Sequence, residues 1–320
     1  MSGPKPGRRS GRRASRRTYM LRRVVALGIV GLIVFGAVRA VGSLTSGDDP
    51  IADAEGPTTS EPATDQITTD PATVPSTPVD SVATSVPADT TPAATGPATV
   101  DDPAKVYIVG DSDAGTFGPY LQSLLDSTNI VETELNYKVS SGLARPDFFD
   151  WPAELEAQLP AAAPDIVVAT FGGNDSQGLA VADGTFIVSD PVSDEADWTE
   201  EYRRRVGEVM DLMGANGATV VWVGIPNDDN PDVTARLRIQ DQAVRAEAAE
   251  RDNVVFIDTW ARFSGRDGNW AEFVIDPRDS QGKDVRADDG FHLNTNGAEI
   301  LALDIAQAIR DELRARGAAI

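Results

Sequence analysis

The balance of apolar and polar positions changes three times along this chain. Residues 24–38 form an unbroken apolar run. Counted through Leu44 the stretch is 21 residues long, close to the ~20 that span a bilayer as a helix. From 45 to 103 large apolar residues almost vanish, and Thr, Pro, Ala, Ser and Asp dominate. From Lys105 onward, short β-rich runs alternate with helical patterns. Strands are predicted at 105–109, 133–139, 165–171, 219–225 and 253–258. Helices are predicted at 116–127, 152–158, 198–213, 233–251 and 295–316. The last shows an apolar stripe at Ile300, Leu301, Leu303, Ile305 and Ile309, the spacing of one helix face. Strands alternating with helices predict an α/β domain whose parallel sheet is covered on both faces.

Four segments follow from this pattern. Residues 1–23 are a basic tail expected in the cytoplasm, because nine basic residues precede the apolar run and positive charge stays inside. Residues 24–44 are expected to be a transmembrane signal anchor contacting the lipid bilayer, with Arg39 snorkelling to the headgroups. The small residues at 40–42 leave open a cleaved signal peptide with a secreted product, and a buried soluble helix is the third reading. Residues 45–103 are expected to be a disordered stalk, because such a composition cannot bury enough surface to offset chain entropy. Fully extended it could reach ~180 Å at about 3.1 Å per residue. Residues 104–320 remain as one folded domain, large enough for a buried core.

Charge sharpens the picture. Residues 1–47 carry ten of the 28 basic residues and no acid, so the remainder sets 50 acids against 18 basic residues. A body this acidic excludes nucleic acid as a partner, since phosphate neutralisation supplies most of that affinity. There is no cysteine, so disulfides, thiolate catalysis and thiolate zinc sites are excluded.

The candidate chemistry lies in four loops. Gly110-Asp111-Ser112 follows the first predicted strand, Ser140-Ser141-Gly142 the second, and Gly172-Gly173-Asn174-Asp175 the third. Asp289-Gly290-Phe291-His292 precedes the last helix. A parallel α/β sheet gathers such loops at the carboxyl ends of its strands. A serine hydroxyl is a poor nucleophile until a base takes its proton, and imidazole is the usual base near neutral pH. The chain has one histidine, so Ser112 would attack an acyl carbonyl with His292 as base, and the rate would fall as acid protonates that imidazole. Asp289, three residues earlier, would hold the imidazole tautomer. The backbone N–H groups of Ser112 and Gly142 and the Asn174 amide are suitable oxyanion donors. Asp111 and Asp175 are expected to bond loop amides.

In these four blocks the chain resembles the SGNH hydrolases, the GDSL-like esterase/lipase superfamily, over about 105–316. The name-giving residues would be Ser112, Gly142, Asn174 and His292. Residues 140–152 and 286–299 resemble an exported subgroup from bacterial cell envelopes. The resemblance implies a three-layer α/β/α sandwich with a flavodoxin-like parallel sheet of about five strands. It also implies ester hydrolysis or acyl transfer with no metal or other cofactor. The expected protein is a membrane-tethered, extracytoplasmic serine esterase acting on small acyl esters, plausibly O-acetyl groups of envelope glycans. Two alternatives are an O-acyltransferase with the same triad and a non-catalytic envelope scaffold of the same fold.

The first block departs from the family pattern, with Asp113 where leucine is usual. The expectation is that Asp113 points away from the site and caps the following helix. Arg145 is read equally as a contact for an acidic substrate group or as a surface ion pair. The acids at 226–231 lack the spacing of a calcium loop and are expected to form a solvated turn. Phe148, Phe149 and Trp151 are expected in the core, and 176–197 as an irregular loop or lid.

Overall fold

The computed structural model describes residues 96–320. The expected tail, the bilayer span and most of the stalk lie outside the described residues. Among the described residues no helix is long and apolar enough to cross a membrane. Residues 96–103 have irregular backbone, and Ala98 packs on the core.

Five parallel strands make one sheet: β1 (Ala104–Gly110), β2 (Val131–Tyr137), β3 (Ile166–Thr170), β6 (Thr219–Val223) and β7 (Val254–Ile257). Their spatial order is β2-β1-β3-β6-β7. This is the flavodoxin-like order, with the chain reversing direction across the sheet between β1 and β3. Two short antiparallel hairpins stand apart, β4 (Leu179–Ala180) with β5 (Phe186–Val188) and β8 (Phe273–Ile275) with β9 (Gly282–Asp284).

The two faces of the sheet bury separate clusters, because successive strand side chains point opposite ways. Val106 and Ile108 of β1 face helices α1 (Ser112–Asp126) and α6 (Thr295–Ala315). Tyr107 and Val109 face α2 (Trp151–Ala162), α3 (Glu195–Gly214) and α4 (Pro231–Ala249). A single turn, α5 (Thr259–Arg262), follows β7. The expected three-layer sandwich is thus present. Trp151, Trp198 and Trp222 are fully buried in the second cluster. Each ring of that size removes ~150–250 Å² from water, a gross gain of ~4–6 kcal/mol at ~25 cal/mol per Å².

Each predicted strand and helix has a counterpart, though the helix expected at 152–158 runs on to Ala162 and the β8–β9 hairpin and the α5 turn were not expected. Helix α1 starts at Ser112, four residues earlier than expected, because Asp111 caps it by accepting from the Asp113 N–H at 2.9 Å. Gly115, in that first turn, and Gly118, one turn further on, lie on the side of the helix toward β2. They are small because β2 passes close: a Cβ on either would sit 2.5 Å or 2.8 Å from the side chains of Tyr137 and Leu135. Strand β2 lies two residues earlier than expected, in register from Ala104↔Val131 to Gly110↔Tyr137. The stretch 176–197, expected to be irregular, contains the β4–β5 hairpin.

Candidate active site

All four loops meet at the carboxyl edge of the sheet. Strand β1 ends at Gly110, and Ser112 opens α1 directly after it. The loop after β3 is fastened to this point by Asp111, whose Oδ2 accepts from Gly172 N–H at 3.2 Å and Gly173 N–H at 2.9 Å. The loop after β2 is fastened by Asp175, which accepts from Leu143 and Ala144 N–H and from the Tyr202 hydroxyl, each at 2.9 Å. Both aspartates bond loop amides as expected. Burial pushes both carboxyls above their ordinary range, Asp111 the further because Asp113 and Asp175 lie near it.

Across this edge lies the 289–292 segment. Ser112 Oγ is 3.0 Å from His292 Nε2, and His292 Nδ1 is 2.6 Å from Asp289 Oδ2. The other Asp289 oxygen accepts from Phe291 and His292 N–H at 3.0 Å each. Partial burial raises the Asp289 carboxyl, but the His292 bond and those amides outweigh it and leave it below its ordinary value. The imidazole side chain is 34% exposed and the Asp289 side chain 52%, so the row of three opens to solvent.

Asn174 Nδ2 donates to the Ser141 carbonyl at 3.0 Å, which ties the third block to the second. An amide has two N–H donors, so this bond fixes its plane while leaving one hydrogen for another acceptor. Gly142 does not have positive φ. Its requirement is space: a Cβ there would lie 2.0 Å from Asp175 Oδ1. Ser141 is held by the Trp151 indole, which donates to its Oγ at 2.8 Å.

Asp113 does not cap the helix; Asp111 does. Asp113 is buried at 7% exposure, and its Oδ2 has no hydrogen-bond partner. Burial raises its carboxyl to about 6, against the pull of His292 and Arg286.

Two residues that sequence reasoning missed hold the loops in place. Arg286, 5% exposed, donates to the carbonyls of Asn227, Phe291 and Phe263 and to Asn227 Oδ1 at 2.9–3.0 Å. Burial lowers it to about 10. Arg205 donates to the carbonyls of Leu143 and Ala180 at 2.8 Å each, under the Gly142 loop. The only sequence signal for Arg286 was its nearness to the last block.

Other expectations resolve simply. Arg145 pairs with Asp147 at 2.6 Å and lies over the Phe186 ring. Asn230 caps α4, and Asp228 accepts from the Asn230 N–H at 2.7 Å. Among the described residues no cluster of His, Asp and Glu is arranged to hold a metal ion. Trp151 is in the core and Phe149 packs against it, but Phe148 is 52% exposed.

Residues 105–308 match the family model described as Protein of unknown function (DUF459). The chain belongs to this family. A comparison of this DUF459 member with curated proteins finds no match. Among solved structures it is similar to a GDSL-like lipase from Bacteroides thetaiotaomicron, with 15% identity and a TM-score of 0.44 over 65% of this chain and 88% of that one. It is also similar to a carbohydrate esterase of family 3 from Talaromyces cellulolyticus, with 14% identity and a TM-score of 0.45 over 66% and 98%. A psychrotrophic esterase from Pseudoalteromonas gives 11% identity and a TM-score of 0.45 over 66% and 98%.

Proposed function

We propose that this DUF459 domain is a serine esterase of the SGNH kind. The observation that carries the reading is the linked row Ser112 Oγ–His292 Nε2–Asp289: a 3.0 Å contact between residues 180 positions apart, continued by a 2.6 Å contact from His292 to Asp289. Few structural roles need a hydroxyl, an imidazole and a carboxylate in that order at an open edge.

The chemistry then runs as follows. The Ser112 Oγ lone pair bonds to an acyl carbon while its proton moves to His292 Nε2. Asp289 holds the Nδ1 proton and stabilises the imidazolium. The Ser112 and Gly142 N–H groups and the Asn174 amide receive the oxyanion, each worth ~2.7–4 kcal/mol of transition-state stabilisation. The imidazolium returns its proton to the leaving oxygen, and water, activated in the same way, releases the acid.

Full-length protein should hydrolyse p-nitrophenyl acetate and be labelled by a fluorophosphonate probe. Ser112→Ala and His292→Ala should each abolish turnover. Retained activity in either variant rules the mechanism out. The acceptor follows from a labelled acyl donor: label passing to sugar hydroxyls instead of water would make the protein an O-acyltransferase.

The proposal extends to location. Residues 24–44 act as a retained anchor and 45–103 as a stalk, holding the domain outside the cytoplasm within reach of O-acylated envelope glycans. The support is nine basic residues ahead of an apolar run of bilayer length. Because the chain has no cysteine, Thr91→Cys supplies a unique label. A membrane-impermeant maleimide should react with it on intact cells; reaction only after lysis contradicts this placement.

A further inference from the structure

Asp113 is a buried acid at this edge that serves no visible packing purpose. Asp111 caps α1 and ties down 172–173, and Asp175 ties down 143–144. Asp113 caps nothing, yet it is as buried as its neighbours, with one oxygen unbonded. A buried carboxylate oxygen without a partner carries a cost that a fold does not keep for stability.

Its surroundings point to the imidazole. A Cβ on Gly173 would lie 3.2 Å from both Asp113 Oδ2 and the Phe291 ring. The Phe291 ring in turn stands edge-on to His292 at 5.0 Å between centroids. Charged neighbours on every packed element can be named. His292 and Arg286 attract the Asp113 charge, whereas Asp289 and Asp111 repel it. Arg286 spends its donors on carbonyls and the Asn227 amide oxygen, so it forms no ion pair with Asp113. Thr170, whose Oγ1 also lacks a partner, lines the same small cavity as Asp113.

We propose that Asp113 is a positioning residue acting on His292 through its charge: a buried second carboxylate that, with Asp289, stabilises the imidazolium formed when Ser112 gives up its proton. This inference rests on the esterase reading. When the proton moves from Ser112 Oγ to His292 Nε2, the imidazole becomes positive beside an exposed carboxylate that is bonded to it, Asp289, and within the field of a buried one, Asp113. The buried one is poorly screened, so its charge acts at longer range. Repulsion of the developing oxyanion works in the opposite sense. The oxyanion is met by its own donors; the imidazolium is not, apart from Asp289.

The test is Asp113→Asn in the full-length chain, with Asp113→Leu as a second variant should the first fail to fold. Above pH ~6 Asp113 is ionised, so removing its charge should lower the kcat/KM plateau about tenfold, the equivalent of one pK unit of coupling. The midpoint of the acid limb should also move downward. A purely structural role would lower the plateau and leave the midpoint in place. An independent readout needs no turnover. The chain has a single histidine, so its imidazole NMR signal is unambiguous. In a Ser112→Ala background that signal should respond to acid at lower pH when Asp113 is Asn. An unmoved midpoint in both measurements, or a faster Asp113→Asn enzyme, overturns this inference and leaves the esterase reading intact. Activity retained in Ser112→Ala overturns the reading beneath it, while the NMR titration still decides the coupling.

Discussion

Replacing Gly142 by alanine tests how the loop after β2 is held. The added Cβ would lie 2.0 Å from Asp175 Oδ1 and 2.7 Å from its Cγ. The carboxylate must therefore retreat by roughly 1.5 Å to reach a normal contact distance. It cannot retreat freely, because it accepts three bonds at 2.9 Å, from Leu143 N–H, Ala144 N–H and the Tyr202 hydroxyl. Hydrogen bonds to charged groups contribute ~1.5–3 kcal/mol each. Losing one or two while part of the loop relaxes should cost ~3–5 kcal/mol. For a domain of this size that is a fall of about 10 °C in Tm, at ~2–4 °C per kcal/mol. Thermal unfolding of wild type and Gly142→Ala reads the loss directly. Esterase activity should fall more steeply, because the displaced loop carries the Gly142 N–H proposed as an oxyanion donor. A double-mutant cycle isolates the cause. In an Asp175→Ala background the obstructing carboxylate is gone, so Gly142→Ala should cost less than ~1 kcal/mol. A Tm for Gly142→Ala within about 2 °C of wild type, or full additivity in the cycle, would refute the claim that glycine is needed here to make room for Asp175.

Three further outcomes follow from the same geometry. Asp289→Asn should keep the fold and lower kcat roughly 10²–10⁴-fold by misaligning the imidazole tautomer; steady-state rates within tenfold of wild type would remove Asp289 from the row. Arg286→Met should destabilise by ~3–5 kcal/mol, because it strands buried carbonyls at ~1–3 kcal/mol each; a urea midpoint unchanged from wild type would contradict its bracing role. Asp113 gives a pH signature in stability. Its folded carboxyl is raised from 3.8 to about 6, so between those values the native state binds more proton than the unfolded chain. Its contribution therefore turns unfavourable as pH rises from about 4 through about 6, by up to ~3 kcal/mol at 1.36 kcal/mol per unit. Asp113→Asn should accordingly gain stability relative to wild type at pH 8 compared with pH 4; parallel stability curves for the two proteins across that range would defeat the argument.

Much of the fold was legible because its signals are local. The central strands β1, β3 and β6 are apolar runs buried on both faces, β2 at the edge alternates polar with apolar residues, and the last helix carries its apolar stripe within its own sequence. The site blocks were legible for a related reason. A parallel sheet delivers every strand's carboxyl end to one edge, so a loop's place follows from the strand before it. The failures were also of one kind. Asp113 was expected to cap α1 because an acid near a helix start favours it; the residue two positions earlier took that role, which local preference cannot arbitrate. The β4–β5 and β8–β9 hairpins have strands of only two or three residues, too short for a periodicity to register.

The sequence by itself determined the order of the five sheet strands and the five long helices, the sheet class, the edge at which the loops gather and the identity of the single imidazole. Tertiary structure alone decided which polar groups touch. Ser112 and His292 meet across 180 positions, Arg286 collects carbonyls from three separate segments, and Gly142 is small because a carboxylate from another loop fills its space. The physical reason is range. Hydrophobic periodicity and capping act over a few residues and leave a record in the chain, whereas burial of a charge and the pairing of donors with carbonyls depend on neighbours that exist only once the layers have packed.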